Sequence, residues 1–588
     1  MSKAGFVFVV LLLAGLESAI GQEIPKPLPE NDPHAKAVAD MQYPSAKVCG
    51  ECHPNQYKQW SVSSHAYADL SPMFNKFEQR INDISRGTVN YFCVRCHASV
   101  GTALAEKREI AWWDRSAAAR EGITCVTCHR VGEGYGKTNA ARRITPGPIH
   151  EPVFGPFDSL GGLKAITNAR ENGILVTIDE PDKPAEGDKK WIRMHQTAIQ
   201  SNLIVKSEFC VACHQVAVHP GIKLETVWEE YRASPAAKEG ITCQNCHMSK
   251  VPGQNAGYET GWAAEVNGKH FNDQRPLTDH TFVGPGYPIS HPGLFPLRIE
   301  ESPFPPQQWL KFDYRARWGS DDFESKVAAA PGSSTFPPEW QNPADRRKAW
   351  VIVQENLGRW KDREQQRLKL MESASRLDGP FFKSGLRVGK DLSFDYKLTN
   401  LNKGHNLPSG SLGAQPELWL NVVLIDPDGN NVWESGYVDK YGDLADLQSV
   451  EVGDGKLKPD NQLFSMQSKF LTTNLKGTDR EMYLPINLDF DQDPFIRPGG
   501  APTSILNHPP NARLEKRSIP PLGSRVAHYK VPGNKLKQPG TYKLAARLRG
   551  RTEPIYFMEF VFATTEMKRT ENEWVTDTHA YAVAFDVH

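Results

Sequence analysis

Ten cysteines fall into five copies of one pattern, C-x-x-C-H: Cys49-Cys52-His53, Cys93-Cys96-His97, Cys125-Cys128-His129, Cys210-Cys213-His214 and Cys243-Cys246-His247. Two thiols three residues apart match the two vinyl groups of one porphyrin, to which they add as thioethers, and the histidine next door binds the iron from one side. A secreted disulfide framework would scatter its cysteines. Zinc sites use C-x-x-C pairs, but without a histidine fixed behind each, and a thioredoxin-like C-x-x-C occurs once per domain. No cysteine is left over. The pattern therefore predicts five covalent haem c groups, no structural disulfide, and porphyrin standing in for apolar side chains as packing material.

Of eighteen histidines, five belong to these motifs, which leaves thirteen, enough to give each iron a second imidazole. Eight of the thirteen precede residue 300, close to the motifs. His65, His195, His280, His291 and His150 are the candidate sixth ligands, with His219 and His270 as spares. Met248 follows its own proximal His247 and cannot reach the opposite face of the same iron.

The elements that must position these groups divide the 588 residues into several parts. Residues 1–21 read as a secretory signal, with Lys3 ahead of the apolar run Gly5–Leu16 and small residues at Ala19-Ile20-Gly21. That run is shorter than the roughly 20 residues of a spanning helix, and no later segment is long and apolar enough, so no membrane span is expected in the mature protein. Residues 22–341 form the expected pentahaem domain of short helices and irregular chain. Within it Ser116-Ala-Ala-Ala-Arg-Glu-Gly-Ile-Thr-Cys125 repeats as Ser234-Pro-Ala-Ala-Lys-Glu-Gly-Ile-Thr-Cys243, so motifs two and three form a unit of which motifs four and five are a second copy. Gly132-Glu-Gly-Tyr-Gly136 lacks the strand and helix of a phosphate loop and reads as a plain loop. Asn342 and Pro343 start a long connecting helix over 342–379, and Asp378-Gly379-Pro380 stops it. Its stripe of Trp350, Val353, Leu357 and Trp360 should pack against the haem-bearing helices. Residues 380–588 read as an all-β sandwich, with strands at Leu392–Tyr396, Leu418–Ile425, Arg525–Tyr529 and Tyr556–Phe562 and a hairpin turn at Asp426–Asn430.

CGECHPNQYKQWSVSSHA, residues 49–66, resembles the CxxCH…W..S.HA element of the cytochrome c-554 type of multihaem cytochromes. The resemblance implies that His65 ligates a haem other than the one just before it. Ala118 and Ala236 stand at the corresponding place in the two repeats, whose haems must find a ligand elsewhere. His195 resembles the family's histidine ahead of an s-e-x-C-x-x-C-H unit, and His280 the distal histidine after the last motif. Gly404-His405-Asn-Leu-Pro-Ser-Gly410 is similar to a GHxxPTG element of β-domains appended to some multihaem cytochromes. His405 could ligate iron across the domain boundary, although ordering a loop of the sandwich is the favoured role.

These features together predict electron transfer through closely packed haems, mostly ligated by two histidines. The alternative is an oxidoreductase with one open haem. The resemblance makes nitrogen-oxide or hydroxylamine-like compounds its first-guess substrates, yet no motif has a lysine in place of its histidine as the nitrite reductases do. Lys+Arg and Asp+Glu are equal at 69 each, which argues against a nucleic-acid partner. Haem propionates, about ten negative charges for five haems, would turn the holoprotein acidic. Redox proteins are the expected partners. An exposed sheet edge could dock them or build a homo-oligomer. The expected location is the periplasm or the cell surface.

Overall fold

The computed structural model describes residues 42–471, 483–484 and 513–588, apart from residues 86, 88–89, 133–141, 159, 180–182, 188–190, 219–221, 267, 271, 297–302, 331, 333, 410–415, 447 and 516. The expected signal segment, most of the Gly132–Gly136 loop and His219 lie outside the described residues.

Chain from Ala46 to Leu277 forms short helices and two-stranded ribbons. Four small apolar clusters of this region each touch a motif cysteine, Cys128, Cys125, Cys52 or Cys93, and a fifth takes Met73 and Ile81 to Ile555 and Phe557 near the C-terminus. Where regular hydrophobic periodicity is missing, local capping fixes the chain. Ser63, Ser116 and Ser234 each accept a hydrogen bond from the backbone N–H three residues on, starting the one-turn helices Ser64–Tyr67, Ala117–Arg120 and Pro235–Lys238. The sequence repeat is thus a structural repeat, and the His65 turn is a third instance of it. Gly122 and Gly240 follow in the left-handed region, at φ +65° and +73°, and turn each repeat into its cysteine motif.

A helix of 32 residues, Pro343–Ala374, joins this region to the sheets. The Asn342 side chain accepts from Ala344 N–H, and Pro343 occupies the first turn. Its buried stripe is Arg346, Ala349, Val353, Asn356, Trp360, Arg363 and Arg367, spaced alternately three and four residues apart. Trp360 packs with Tyr57, Trp60 and Phe295, while Val353 and Trp350 meet Trp309, Phe312 and Trp340. The buried arginines are tied by polar contacts. Arg346 binds both Glu324 oxygens (2.8 and 2.6 Å) and donates to the carbonyls of Trp340 and Gln341. Arg363 reaches the Val62 carbonyl and Ser64 Oγ, clamping the His65 turn.

The helix ends earlier than the sequence suggests. Ser375–Ser384 is already a strand, because Ser375 to Asp378 pair with Asn400 to Lys397; Gly379-Pro380 is absorbed as a bulge in that strand. Leu392–Asn400 and Ser524–Val531 complete a three-stranded sheet. The second sheet runs Asn431–Ser435, Glu417–Ile425, Gly540–Arg551 and Thr576–Val587, all antiparallel. The two sheets share one core that includes Phe394, Tyr396, Leu420, Leu424, Tyr529 and Leu544. Asp426–Asn430 is a turn, with Asp426 Oδ1 accepting from the Asn430 N–H at 2.8 Å.

One expected strand is a helix. Ile555–Phe560 is helical, led by Pro554, and buries Ile555, Phe557 and Met558 against Met73 and Ile81 of the Pro72–Ser85 helix. Alternating aromatics imitate a strand there, and packing on another helix decides the outcome.

Arg346 is 1% exposed, so Arg346→Ala leaves Glu324 buried without its cation. Loss of about 3–5 kcal/mol of stability is expected in denaturant unfolding followed by tryptophan fluorescence.

Candidate haem-binding site

A single helical turn suits the C-x-x-C-H pattern, since residues i, i+3 and i+4 share one face. Cys125–His129 and Cys243–His247 are such turns, the latter closed by a capping box between Thr242 and Asn245. Each motif histidine then fixes its ring through Nδ1. His53 Nδ1 lies 2.6 Å from the Ala263 carbonyl, His97 Nδ1 3.1 Å from Ala68, and His129 Nδ1 2.7 Å from Phe154. His247 bonds the Val283 backbone. A carbonyl only accepts, so in those rings with carbonyl partners Nδ1 carries the proton and Nε2 keeps its lone pair, the tautomer that binds a metal. His214 differs. Its Nδ1 faces the Glu225 carboxylate at 3.2 Å.

Four motif histidines have a second imidazole across from them. His195 stands opposite His53 with ring centres 6.4 Å apart, His65 opposite His214 at 6.4 Å, His280 opposite His129 at 6.4 Å, and His405 opposite His247 at 6.2 Å. These separations exceed both ring stacking and a direct nitrogen–nitrogen hydrogen bond. Two imidazoles sharing one metal at ~2.0–2.1 Å per bond, with each ring centre roughly 1.1 Å behind its nitrogen, place their centres roughly 6.3 Å apart. The residues present fit an iron held between two imidazoles. His97 has no such counterpart among the described residues; Phe74 lies flat on its ring at 3.8 Å.

His65 is set by the capped turn and by the third motif's approach. Its carbonyl accepts from Ile123 N–H at 3.0 Å. Beside that bond Gly122 leaves no room, because a Cβ would sit 2.5 Å from the same carbonyl oxygen. Burial, the largest cause in each case, holds His53, His65, His97, His129, His195, His247 and His280 below the ordinary histidine pKa, His65 at about 3. Those rings are neutral and free to donate a lone pair. Burial also acts against charge on His214, but the Glu225 hydrogen bond and negative charge lift it to about 9.

Two sequence candidates are placed elsewhere. His291 Nε2 donates to the Phe312 carbonyl at 2.8 Å and its Nδ1 accepts from Gly293 N–H at 3.0 Å, so neither nitrogen is left for iron. His150 Nδ1 donates to the Met194 carbonyl at 2.9 Å, and no motif histidine faces its ring. Of the spares, His270 stacks on Trp262 at the surface, 4.0 Å away. His405, for which the sequence favours a loop-ordering role, sits in that loop with Nδ1 2.9 Å from the Asn406 carbonyl and Nε2 3.1 Å from Asn402 Nδ2, and its ring faces His247; the Asn402 amide would have to turn away for Nε2 to meet a metal. Its GHNLPSG context is the one signal that singles it out.

The motifs lie against one another. The thiols of Cys49 and Cys125 are within hydrogen-bonding reach, as are Cys96 with Cys213 and Cys210 with Cys243. Arg142 links the third and fourth motifs, its Nη2 3.6 Å from Cys213 Sγ and its charge acting on Cys128. Arg130 and Arg275 each keep a buried Nε–H without an acceptor among the described residues; such groups suit the acidic propionates of haem.

The family model for cytochrome c554 and c-prime matches residues 48–130. There the chain resembles a multihaem c-type cytochrome. Among solved structures, a penta-heme cytochrome c552 from Thermochromatium tepidum aligns at 15% identity over 92% of this chain and 98% of that chain, with a TM-score of 0.46. An alkylpurine DNA glycosylase from Pseudomonas fluorescens aligns at 7% identity over 45% of this chain and 43% of that one, with a TM-score of 0.12. No curated protein matches.

Gly122→Ala combines a positive φ with a backbone clash. It is expected to cost about 1 kcal/mol or more and to speed hydrogen exchange at the Ile123 amide while amides of the sheet sandwich stay protected.

Proposed function

We propose that this chain is an electron relay carrying five covalent haem c groups, one on each C-x-x-C-H motif. Four irons are held by the pairs His53/His195, His214/His65, His129/His280 and His247/His405. The observation that carries this reading is the set of four ring-centre separations, 6.2 to 6.4 Å, each between a motif histidine and a histidine distant in sequence. Bound haem supplies one-electron chemistry at iron, and two imidazoles keep its potential below that of a Met/His site. The chain does the rest. Its cysteines would anchor porphyrins on adjoining motifs, its backbone carbonyls orient the proximal rings, and Arg130 and Arg275 would meet propionate charge. The β-sandwich contributes His405, which makes it part of the fifth haem site as well as an appended domain.

Redox proteins are the partners this reading implies. A signal over residues 1–21 would deliver the chain to the periplasm or cell surface, and among the described residues no helix is long and apolar enough to cross a membrane. A second reading is reduction or oxidation of a small nitrogen-oxide or hydroxylamine-like compound at one open iron. No imidazole among the described residues faces His97.

Ferric EPR with spin quantitation tests both readings. Four irons are expected to be low-spin, and the spin state of the His97 iron separates the readings, high-spin for the open site and low-spin for the relay alone. His405→Ala and His65→Ala should each turn one further iron high-spin without loss of haem. Five low-spin irons would remove the open-site reading, and unchanged spectra in both variants would remove the proposed pairs.

A further inference from the structure

We infer that Glu225 holds the haem of Cys210, Cys213 and His214 at the lowest reduction potential of the five, which makes Glu225 a positioning and tuning residue for electron transfer. This rests on haem occupying the fourth motif as proposed above.

A hairpin follows the motif. Val216–Val218 pairs antiparallel with Ile222–Glu225, and Val216 stands directly across from Glu225. Val216 is two residues beyond His214, so the register returns the Glu225 carboxylate to the imidazole, with Oε1 3.2 Å from Nδ1. His53, His97 and His129 give the corresponding proton to backbone carbonyls, and His247 bonds backbone as well. His214 is therefore the motif histidine with a charged acceptor. A carboxylate accepts roughly twice as strongly as a neutral carbonyl. It draws the Nδ1 proton toward itself and makes Nε2 a stronger donor. A more electron-rich ligand favours Fe(III) over Fe(II), which lowers the potential.

Arg142 opposes this, since its guanidinium is 3.6 Å from Cys213 Sγ. That charge acts through space on a thioether and is shared with Cys128 of the third motif. The Glu225 contact acts on an iron ligand itself, and it is the one that distinguishes this haem from its neighbours.

Position gives the tuning a consequence. The fourth motif touches the second through Cys213 and Cys96, and the fifth through Cys210 and Cys243, while Arg142 joins it to the third. A haem at this junction that holds an electron poorly divides the relay. The haem of His97 would exchange with the other three through a high-energy step, so electrons settle on either side of the junction and not on it.

The test is Glu225→Gln in the haem-loaded full chain, read by potentiometric titration of all five haems after intact mass has confirmed five haems in wild type and variant. Glutamine keeps an acceptor oxygen and removes the charge, so a purely structural role would leave every potential in place. The expected result is an upward shift of the lowest wild-type potential by at least tenfold in its reduction equilibrium, 59 mV for a one-electron couple, with the other four nearly fixed. Glu225→Ala, read identically, serves if the Gln variant does not mature. No shift, or a shift confined to a higher-potential haem, overturns the inference. A wild-type mass without haem on the fourth motif overturns the haem reading beneath it.

Discussion

Two imidazoles that bind one iron from opposite sides must hold their ring centres about 6.3 Å apart, and in the proposed relay that requirement is imposed four times on this chain. Each proximal histidine is local to its cysteines, but each partner comes from a distant segment: His195 from a strand-flanking loop, His65 from a capped turn, His280 from the chain after the last motif, and His405 from the sandwich. In that relay the short helices and ribbons would be pinned to one another by metal coordination. Such links would hold in shape a chain whose small apolar clusters gather around motif cysteines. Folding of this half and haem attachment should be inseparable.

The sandwich is built on the opposite principle. Its two sheets share one apolar core with residues such as Leu392, Phe394 and Leu424 fully enclosed. The long helix joins the two regimes through a buried stripe with Arg346 at one end, Arg363 and Arg367 at the other, and Ala349, Val353, Asn356 and Trp360 between. Arg363 reaches the His65 turn and Arg367 meets Thr576 of the last strand. A ligand from the sandwich to the fifth haem adds a coordinate link to these contacts, so the β-domain and the haem region would position each other.

The local parts of this arrangement were legible in the sequence because their causes are local. The cysteine pattern, the Ser-capped repeat and the Asn342-Pro343 helix start each depend on neighbours a few residues away. The turn that carries His65 was readable because its Ser63 cap is local. The limits fall where distant contacts decide. His291 looks like a ligand until Phe312 and Gly293 occupy both its nitrogens. His405 sits in the loop expected of it, and that its ring also faces His247 depends on how the two halves of the chain meet. The alternating aromatics after Pro554 read as a strand, and packing against Met73 and Ile81 makes them a helix. The early end of the long helix has the same origin, since strand pairing with Asn400 and its neighbours claims Ser375 onward.

The central claim is that every C-x-x-C-H motif carries porphyrin through two thioether bonds. Intact and peptide mass spectrometry of protein exported from a host able to mature c-type cytochromes addresses it directly. The account predicts five haem additions, one on each peptide bearing Cys49, Cys93, Cys125, Cys210 or Cys243. Free thiols at these positions, or disulfides joining neighbours such as Cys49 and Cys125, would contradict it.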